Sequence, residues 1–312
     1  MNDLLKLLSG ALKPFGYHVR PYKGLNMLRI PNLNDESSIR SLLMAQSRND
    51  KGFSPDLNSF TIYLRTCLRE NRNIDVRPRV TGASVSETAC ACIRSLVTSI
   101  NNAGEEGALK LVVLDDHSDA QLLERLRIIV GDAHCPVEII ASQTKGQGQS
   151  LHQQFELARE TDEGLCYFVE DDYLHEPEAI QKIWRFYKYF TNQFQSHSVL
   201  YPQEHPVLYE NHYPSYVLLG EDRHWRTIEH ATHTLITHSD VLRKYWRYFE
   251  NTKYVGNRKK RKKGSEARTT NRLFRKIPGF SPMKPLAVHL QFEGTLPPLY
   301  DWRPLWNLYY SR

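Results

Sequence analysis

From Phe60 onward the chain settles into an alternation of short apolar runs and longer stretches with apolar residues at helical spacing. "FTIYLRT" (60–66) reads as a first strand. In "SETACACIRSLVTSINNAG" the apolar residues recur at helical spacing, with Ser86 or Glu87 opening the helix and Gly104 closing it. "LKLVVLDD" is nearly all apolar, the type of strand buried on both faces of a parallel sheet. A second helix, "AQLLERLRIIVGDA", precedes a third strand, "VEIIAS". A third helix, "GQSLHQQFELARET", precedes a fourth strand, "LCYFVE". Strands alternating with helices predict an open α/β sheet with right-handed crossovers. Ligands of such sheets bind at the carboxyl ends of the strands.

The flanks differ. Residues 1–57 read as a small helical and irregular extension, with a turn at "KPFGY" and a polar stretch at "NLNDESS". After Pro177 a helix, "PEAIQKIWRFYKYFTNQ", leads into a Tyr-, His- and Pro-rich region. Strand-like stretches surround a polar centre in "YVLLGEDRHWRTIEHATHTLITH", and "LAVHLQFEG" gives a late strand. The expected organisation is an extension (1–57), a first half (58–180) and a second half (181–312), with no internal repeat.

Composition narrows the class. With 40% hydrophobic residues, 17 Tyr and 12 Phe among 312 residues, the chain can build a large core. No apolar run approaches the roughly 20 residues of a spanning helix. The N-terminus, with Asp3, does not resemble a secretory signal. The five cysteines, at 67, 90, 92, 135 and 166, form no disulfide framework. Cys90 and Cys92 point apart on a helix and make a poor metal pair, so all five read as reduced thiols of a cytosolic protein. The net charge of +6 is concentrated: residues 256–276 hold ten Lys or Arg and one Glu. Such a run is expected to be mobile until it meets an anion: a diphosphate, an anionic acceptor, a membrane surface or a nucleic acid.

Acids gather at two strand ends, Asp115 and Asp116 after the second strand and Glu170, Asp171 and Asp172 after the fourth. Adjacent carboxylates raise each other's pKa unless a positive charge neutralises them. Hard oxygen ligands suit Mg²⁺ or Mn²⁺, which would neutralise a phosphate leaving group. A solvated acidic turn before the next helix is the alternative.

The order of "FTIYLRT", "LVVLDDHSD", "KGQGQSLHQQFELA" and "YFVEDDYLHEP" resembles the nucleotide-sugar-binding half of family 2-like glycosyltransferases with the GT-A fold, over residues 58–180. "GED" at 220–222 and the late His289 extend the resemblance. It implies a Rossmann-like, mostly parallel sheet flanked by helices. It also implies transfer of a sugar from a nucleoside-diphosphate sugar, UDP-sugar favoured, to a hydroxyl of a glycan, lipid or protein, as in polysaccharide biosynthesis. Asp116 would contact the nucleotide base or ribose, with Asp115 the second candidate for that contact and otherwise a turn residue, and Arg65 and Thr66 would line that pocket. Gly146 matches the family's glycine loop, although Leu151 and His152 replace its usual Asn-Arg pair. Asp172 and His289 would bind Mn²⁺ or Mg²⁺, and Asp171 the metal or the donor sugar; Val169 stands where the first acid of the common DxD motif would be. Asp222, preceded by Glu221, would be the general base of a single inverting displacement. Trp225 would stack on a sugar, with Arg226 and His230 facing the acceptor. The reduced cysteines and the basic run point to the cytoplasm or the cytoplasmic face of a membrane.

Two other functions compete. A nucleotidyltransferase would carry a Gly-rich loop directly after the first strand, where this chain has no glycine before Gly82. A nucleic-acid-binding protein would use residues 256–276 in a salt-dependent way, yet the charge forms a single run without a known nucleic-acid motif.

Overall fold

Strand β1 (Ser59–Thr66) is the hub of the predicted parallel sheet in the computed structural model, which describes residues 53–69, 79–144, 146–161, 163–210, 215–253 and 264–311, and Pro14. It pairs in parallel with β2 (Ala108–Asp115) on one side and β4 (Leu165–Glu170) on the other. β3 (Val137–Ala141) pairs in parallel with β2. The register sets Thr66 opposite Asp115 and Arg65 opposite Glu170. The carboxyl ends of β1, β2 and β4 are therefore level, and their terminal polar residues share one edge.

The crossovers are the predicted helices: α1 (Val85–Asn101), α2 (Ala120–Gly131) and α3 (Gln147–Thr161). α1 opens slightly earlier than its apolar pattern suggests, because Ser84 and Glu87 form a capping box. The Ser84 hydroxyl accepts from the Glu87 N–H at 3.2 Å, and the Glu87 carboxylate accepts from the Ser84 N–H at 2.9 Å. Two orphan donors are satisfied reciprocally.

The second half continues the same sheet. Its order is β3-β2-β1-β4-β9-β6-β10-β8-β7, with β6 (Val199–Leu200), β7 (Val217–Leu219), β8 (His224–Ile228), β9 (Leu235–His238) and β10 (Gly279–Pro282). Only β8 and β9 run against the other seven. A separate antiparallel pair, β5 (Tyr173–His175) and β11 (Ala287–His289), stands beyond the end of β4. α4 (Ala179–Phe194) lays Ile183, Trp184, Tyr187 and Phe190 into the core. The short helices α5 (Val207–Glu210), α6 (Ser239–Lys244) and α7 (Trp246–Glu250) fill the connections. α8 (Arg303–Tyr310) seats Trp306 and Tyr309 against Ala91 and Cys92 of α1. One apolar core draws residues from Phe60 through Ala287, so both halves share it.

Two expectations meet the structure differently. Residues 264–276 of the basic run are packed: short 3-10 turns at Glu266–Arg268 and Thr270–Arg275 bury Thr270, Leu273 and Phe274. This corrects the expectation of a mobile loop for that part, because apolar residues at close spacing pull the backbone into the core. Residues 256–263, and nearly all of the 1–57 extension, lie outside the described residues. Among the described residues, no helix is long and apolar enough to cross a membrane.

Candidate active site

β4 ends at Glu170, a tight turn carries Asp171 and Asp172, and β5 starts at Tyr173. β11 pairs with β5 so that His289 faces Tyr173, and the Asp172 carbonyl accepts from the Leu290 N–H at 2.9 Å. The His289 ring stacks on Tyr173 at 4.5 Å and 11°. Its Nε2 lies 3.3 Å from Asp172 Oδ1. Glu170, Asp172 and His289 each offer a ligand atom, and these atoms lie within 4.8 Å of one another.

Each acid has its own tether. Glu170 pairs with Arg65. Asp171 Oδ2 accepts from the Cys67 N–H at 3.0 Å. Asp172 Oδ2 pairs with Arg79 at 3.0 Å. Burial opposes ionisation of Asp172, but His289 and Arg79 outweigh it and hold the carboxyl well below the usual range. Burial likewise opposes charging of His289, but Asp172 outweighs it and raises the imidazole. The contact between these two side chains lacks hydrogen-bond alignment: Asp172 Oδ1 and both ring nitrogens of His289 are buried without a hydrogen-bond partner. Asp172 Oδ1 and the neutral His289 ring, both buried without an aligned hydrogen bond, fit a divalent cation of the Mn²⁺ or Mg²⁺ type, which would take the place of the ring proton.

The nucleotide side assembles beside it. Both Asp115 oxygens are spent on the loop: Oδ1 accepts from the Thr66 hydroxyl at 3.1 Å and from the Ser118 hydroxyl, and Oδ2 accepts from the Ser118 N–H at 3.1 Å. Asp115 thus takes the turn role, one of its two expected roles. Asp116 is buried, with Oδ1 3.0 Å from His117 Nδ1. Its N–H donates to the Thr66 carbonyl at 2.8 Å, which fixes the loop onto β1. Gly146 has φ +104°, a conformation that strains any residue with a Cβ, and α3 starts at the next residue. Leu151 and His152 serve packing: Leu151 is in the core and His152 lies against Trp246 at 5.4 Å. Arg65, Thr66, Asp115, Asp116, Glu170, Asp171 and Asp172 therefore gather at the carboxyl edge with His289, and Gly146 ends the loop that leaves β3 at that edge.

Other expected residues fall elsewhere. Asp222 and Glu221 occupy the β7–β8 turn. Asp222 Oδ2 pairs with Lys182 of α4 at 3.6 Å and with Arg223 at 3.3 Å. Arg223 in turn pairs with Glu176 at 3.2 Å. Glu176 follows β5 at the end opposite Asp172, and four extended residues span about 13 Å. Asp222 thus lines a charged cleft along α4 with Lys284, and Glu170, Asp172 and His289 are not among the residues lining that cleft. Trp225 requires a correction. It is fully buried and stacks on Phe186 of α4 at 4.0 Å and 9°, so it cannot receive a sugar. Arg226 pairs with Glu204 at 3.5 Å and donates to the Ser215 hydroxyl at 3.0 Å. His230 faces His205 at 6.5 Å. Burial, then the neighbouring His230 and His289, push His205 down to about 4.

The sequence reading passed over Glu266. Its Oε1 lies 3.5 Å from His233 Nδ1. Burial lowers the His233 pKa, while Glu266 and Glu170 both act on that ring in the opposite sense. The available signal is a single acid inside a run of ten cations. Arg79 was also passed over, lying next to a stretch without strong apolar periodicity.

Acids and a histidine thus converge at the carboxyl edge of an open α/β sheet, the place where such sheets bind ligands. The chain matches the model of glycosyl transferase family 2 over residues 87–286, more than half its length, and belongs to that family. No curated protein matches it significantly. Among solved structures it is similar to S. aureus TarS 1–349 (16% identity, TM-score 0.39, covering 60% of this chain and 48% of that one). A longer S. aureus TarS structure gives 15% identity and TM-score 0.46, covering 73% of this chain and 36% of that one. UDP-glucose pyrophosphorylase complexed with UDP-glucose gives 14% identity and TM-score 0.44, covering 80% of this chain and 98% of that one. The chain spans less than half the length of either TarS chain. At these TM-scores the solved structures add nothing to the family match.

Proposed function

We propose that the chain moves a sugar from a nucleoside-diphosphate sugar, UDP-sugar first among the candidates, to a hydroxyl of a glycan, lipid or protein acceptor, with inversion. The observation that carries this reading is the Asp172–His289 pair, brought together by the β5–β11 register and left with unpartnered lone pairs. Asp172, His289 and Glu170 would hold Mn²⁺ or Mg²⁺, with Asp171 at the donor sugar. When bound, the cation neutralises the departing diphosphate. Arg65 and Arg79, now on Glu170 and Asp172, bring positive charge to the same place and can bind phosphate oxygens bidentately. Asp116 would accept from a pyrimidine N–H or a ribose hydroxyl, with Thr66 and Gly146 shaping the pocket. The polar group of His205, His230 and Arg226, reached from the His289 side, would face the acceptor. The five free cysteines, four of them buried, support a reducing compartment, the cytoplasm or its membrane face.

Inversion requires a carboxylate at the acceptor hydroxyl. Glu266, 3.5 Å from His233, is a second candidate beside Asp222, which is held by Lys182 and Arg223 along α4. Sugar transfer by the two variants separates them. Glu266→Gln is expected to keep donor binding and to lower kcat by about 10²-fold or more. Loss of transfer in Asp222→Asn with Glu266→Gln active would return the role to Asp222. Full activity in both would overturn a carboxylate base at either position.

A further inference from the structure

Both carboxylates of the Glu170–Asp172–His289 cluster carry a guanidinium, and the two arginines are held in different ways. Arg65, in β1, reaches Glu170 with Nη2 and donates from Nη1 to the Ser150 hydroxyl of α3 at 3.5 Å, and its Nε is buried. Arg79 has one partner: Nη1 donates to Asp172 Oδ2 at 3.0 Å, and its other nitrogens form no hydrogen bond among the described residues. Its backbone is fixed. The Gly82 N–H donates to the Arg79 carbonyl at 3.1 Å, Gly82 takes φ +71°, and Val80 and Ala83 pack against the small core that holds Trp306 and Tyr309. Arg79 is thus a long side chain on a fixed turn, tied at its tip by a single contact and 13% exposed.

That single contact opposes a lone cation. Asp172 Oδ1 lies 3.3 Å from His289 Nε2, so a cation shared by that pair would sit across one carboxylate from the Arg79 guanidinium. Glu170, Asp171 and Asp172 set against Arg65 and Arg79 leave one net negative charge beside a neutral His289. A divalent cation alone would turn that balance positive, and buried like charges repel more strongly than exposed ones. A diphosphate restores the balance. It also offers a guanidinium two oxygens at once, a grip that Arg79 does not make on Asp172, which it reaches through one nitrogen.

We propose that Arg79 couples the donor to the metal. It restrains Asp172 against a lone cation and turns to the diphosphate oxygens when the donor binds, so that each ligand strengthens the binding of the other. The inference rests on the proposed donor and cation. Arg65, held at both terminal nitrogens between β1 and α3, stays on Glu170. The alternative is a permanent structural pair, in which Arg79 only neutralises a buried carboxylate and its loss weakens metal and nucleotide alike.

The test separates the two ligands. Mn²⁺ binding to full-length, EDTA-stripped protein is read from the electron paramagnetic resonance of the free ion, with Asp172→Asn defining any binding outside the cluster. Without nucleotide, Arg79→Gln is expected to bind Mn²⁺ about tenfold more tightly than wild type. UDP, GDP, ADP and CDP are then titrated calorimetrically at saturating Mn²⁺. The nucleotide that binds wild type should bind Arg79→Gln about tenfold more weakly. Arg79→Lys keeps the charge and loses the bidentate fork, so it should match wild type for Mn²⁺ alone and bind the nucleotide several-fold more weakly. Shifts of Arg79→Gln in the same direction, a shift in one affinity alone, or no shift would overturn the coupling and leave the donor reading standing. Wild-type nucleotide affinity in Arg79→Lys would do the same. If no nucleotide shows Mn²⁺-dependent binding to folded wild type, the donor reading fails and the coupling with it.

Discussion

Residue by residue, the site separates side chains that hold the edge of the sheet together from those left with unmet bonding capacity. Asp115 spends both oxygens on its own turn, whereas Asp172 Oδ1 and His289 remain unpartnered. Trp225 shows how a functional-looking residue can belong to the core. Truncating a fully buried tryptophan stacked on Phe186 removes packing and leaves a cavity. Trp225→Ala is expected to cost about 3–5 kcal/mol in urea denaturation while leaving the acceptor KM of the folded fraction unchanged. A KM defect without loss of stability would restore the sugar-stacking role. The alternation was present in "HWRTI", where Trp225 falls on the inward side of β8 between outward His224 and Arg226. The polar neighbours masked it. The acids at 170–172 and His289 were legible as chemistry because a strand ended in three carboxylates. Glu266 was not, because its contact with His233 depends on where the 3-10 turns fold back.

At the level of elements, the parallel part of the sheet was readable because each strand is a continuous apolar run bounded by polar turns. Of the two- to five-residue strands, β7, β8, β9 and β11 fall in stretches that read as strand-like, whereas β5, β6 and β10 carry too little pattern, and the pairing of all seven is set by distant partners. The insertion of β9 between β4 and β6 is of that kind. One position tests the packing of adjoining strands. Gly164, just before β4, lies so close to β1 that an added Cβ would sit 2.5 Å from the Ser59 carbonyl oxygen and closer still to its hydroxyl. Gly164→Ala is expected to destabilise by about 1–3 kcal/mol, read as a lower urea midpoint. An unchanged midpoint would mean that β1 and β4 can separate at little cost.

For the molecule as a whole, buried neutral histidines set the acid limit of stability. Burial pushes His175 down to about 3 and His205 to about 4. Both titrate near 6.5 when unfolded. As pH falls below about 6.5 the unfolded chain takes up protons that the folded chain refuses, so stability falls with pH. Asp172 adds to this lower down. Its depressed pKa gives stability that is present above about 3.9 and lost as pH falls through the folded value. The urea midpoint should therefore drop between about pH 6.5 and pH 4, and less steeply in His175→Gln, which keeps a partner for the Tyr167 hydroxyl. Equal slopes in the two proteins would exclude His175 as a contributor.

The central claim is that the carboxyl edge binds a nucleoside diphosphate through a cation held by Asp172 and His289. It is tested most directly by titrating UDP, GDP, ADP and CDP into wild-type and Asp172→Asn protein, with Mn²⁺ and then with EDTA. The account predicts that one nucleotide binds wild type only with Mn²⁺, and that folded Asp172→Asn loses this binding. Binding by Asp172→Asn equal to wild type, or no binding of any nucleotide to folded wild type, would contradict it.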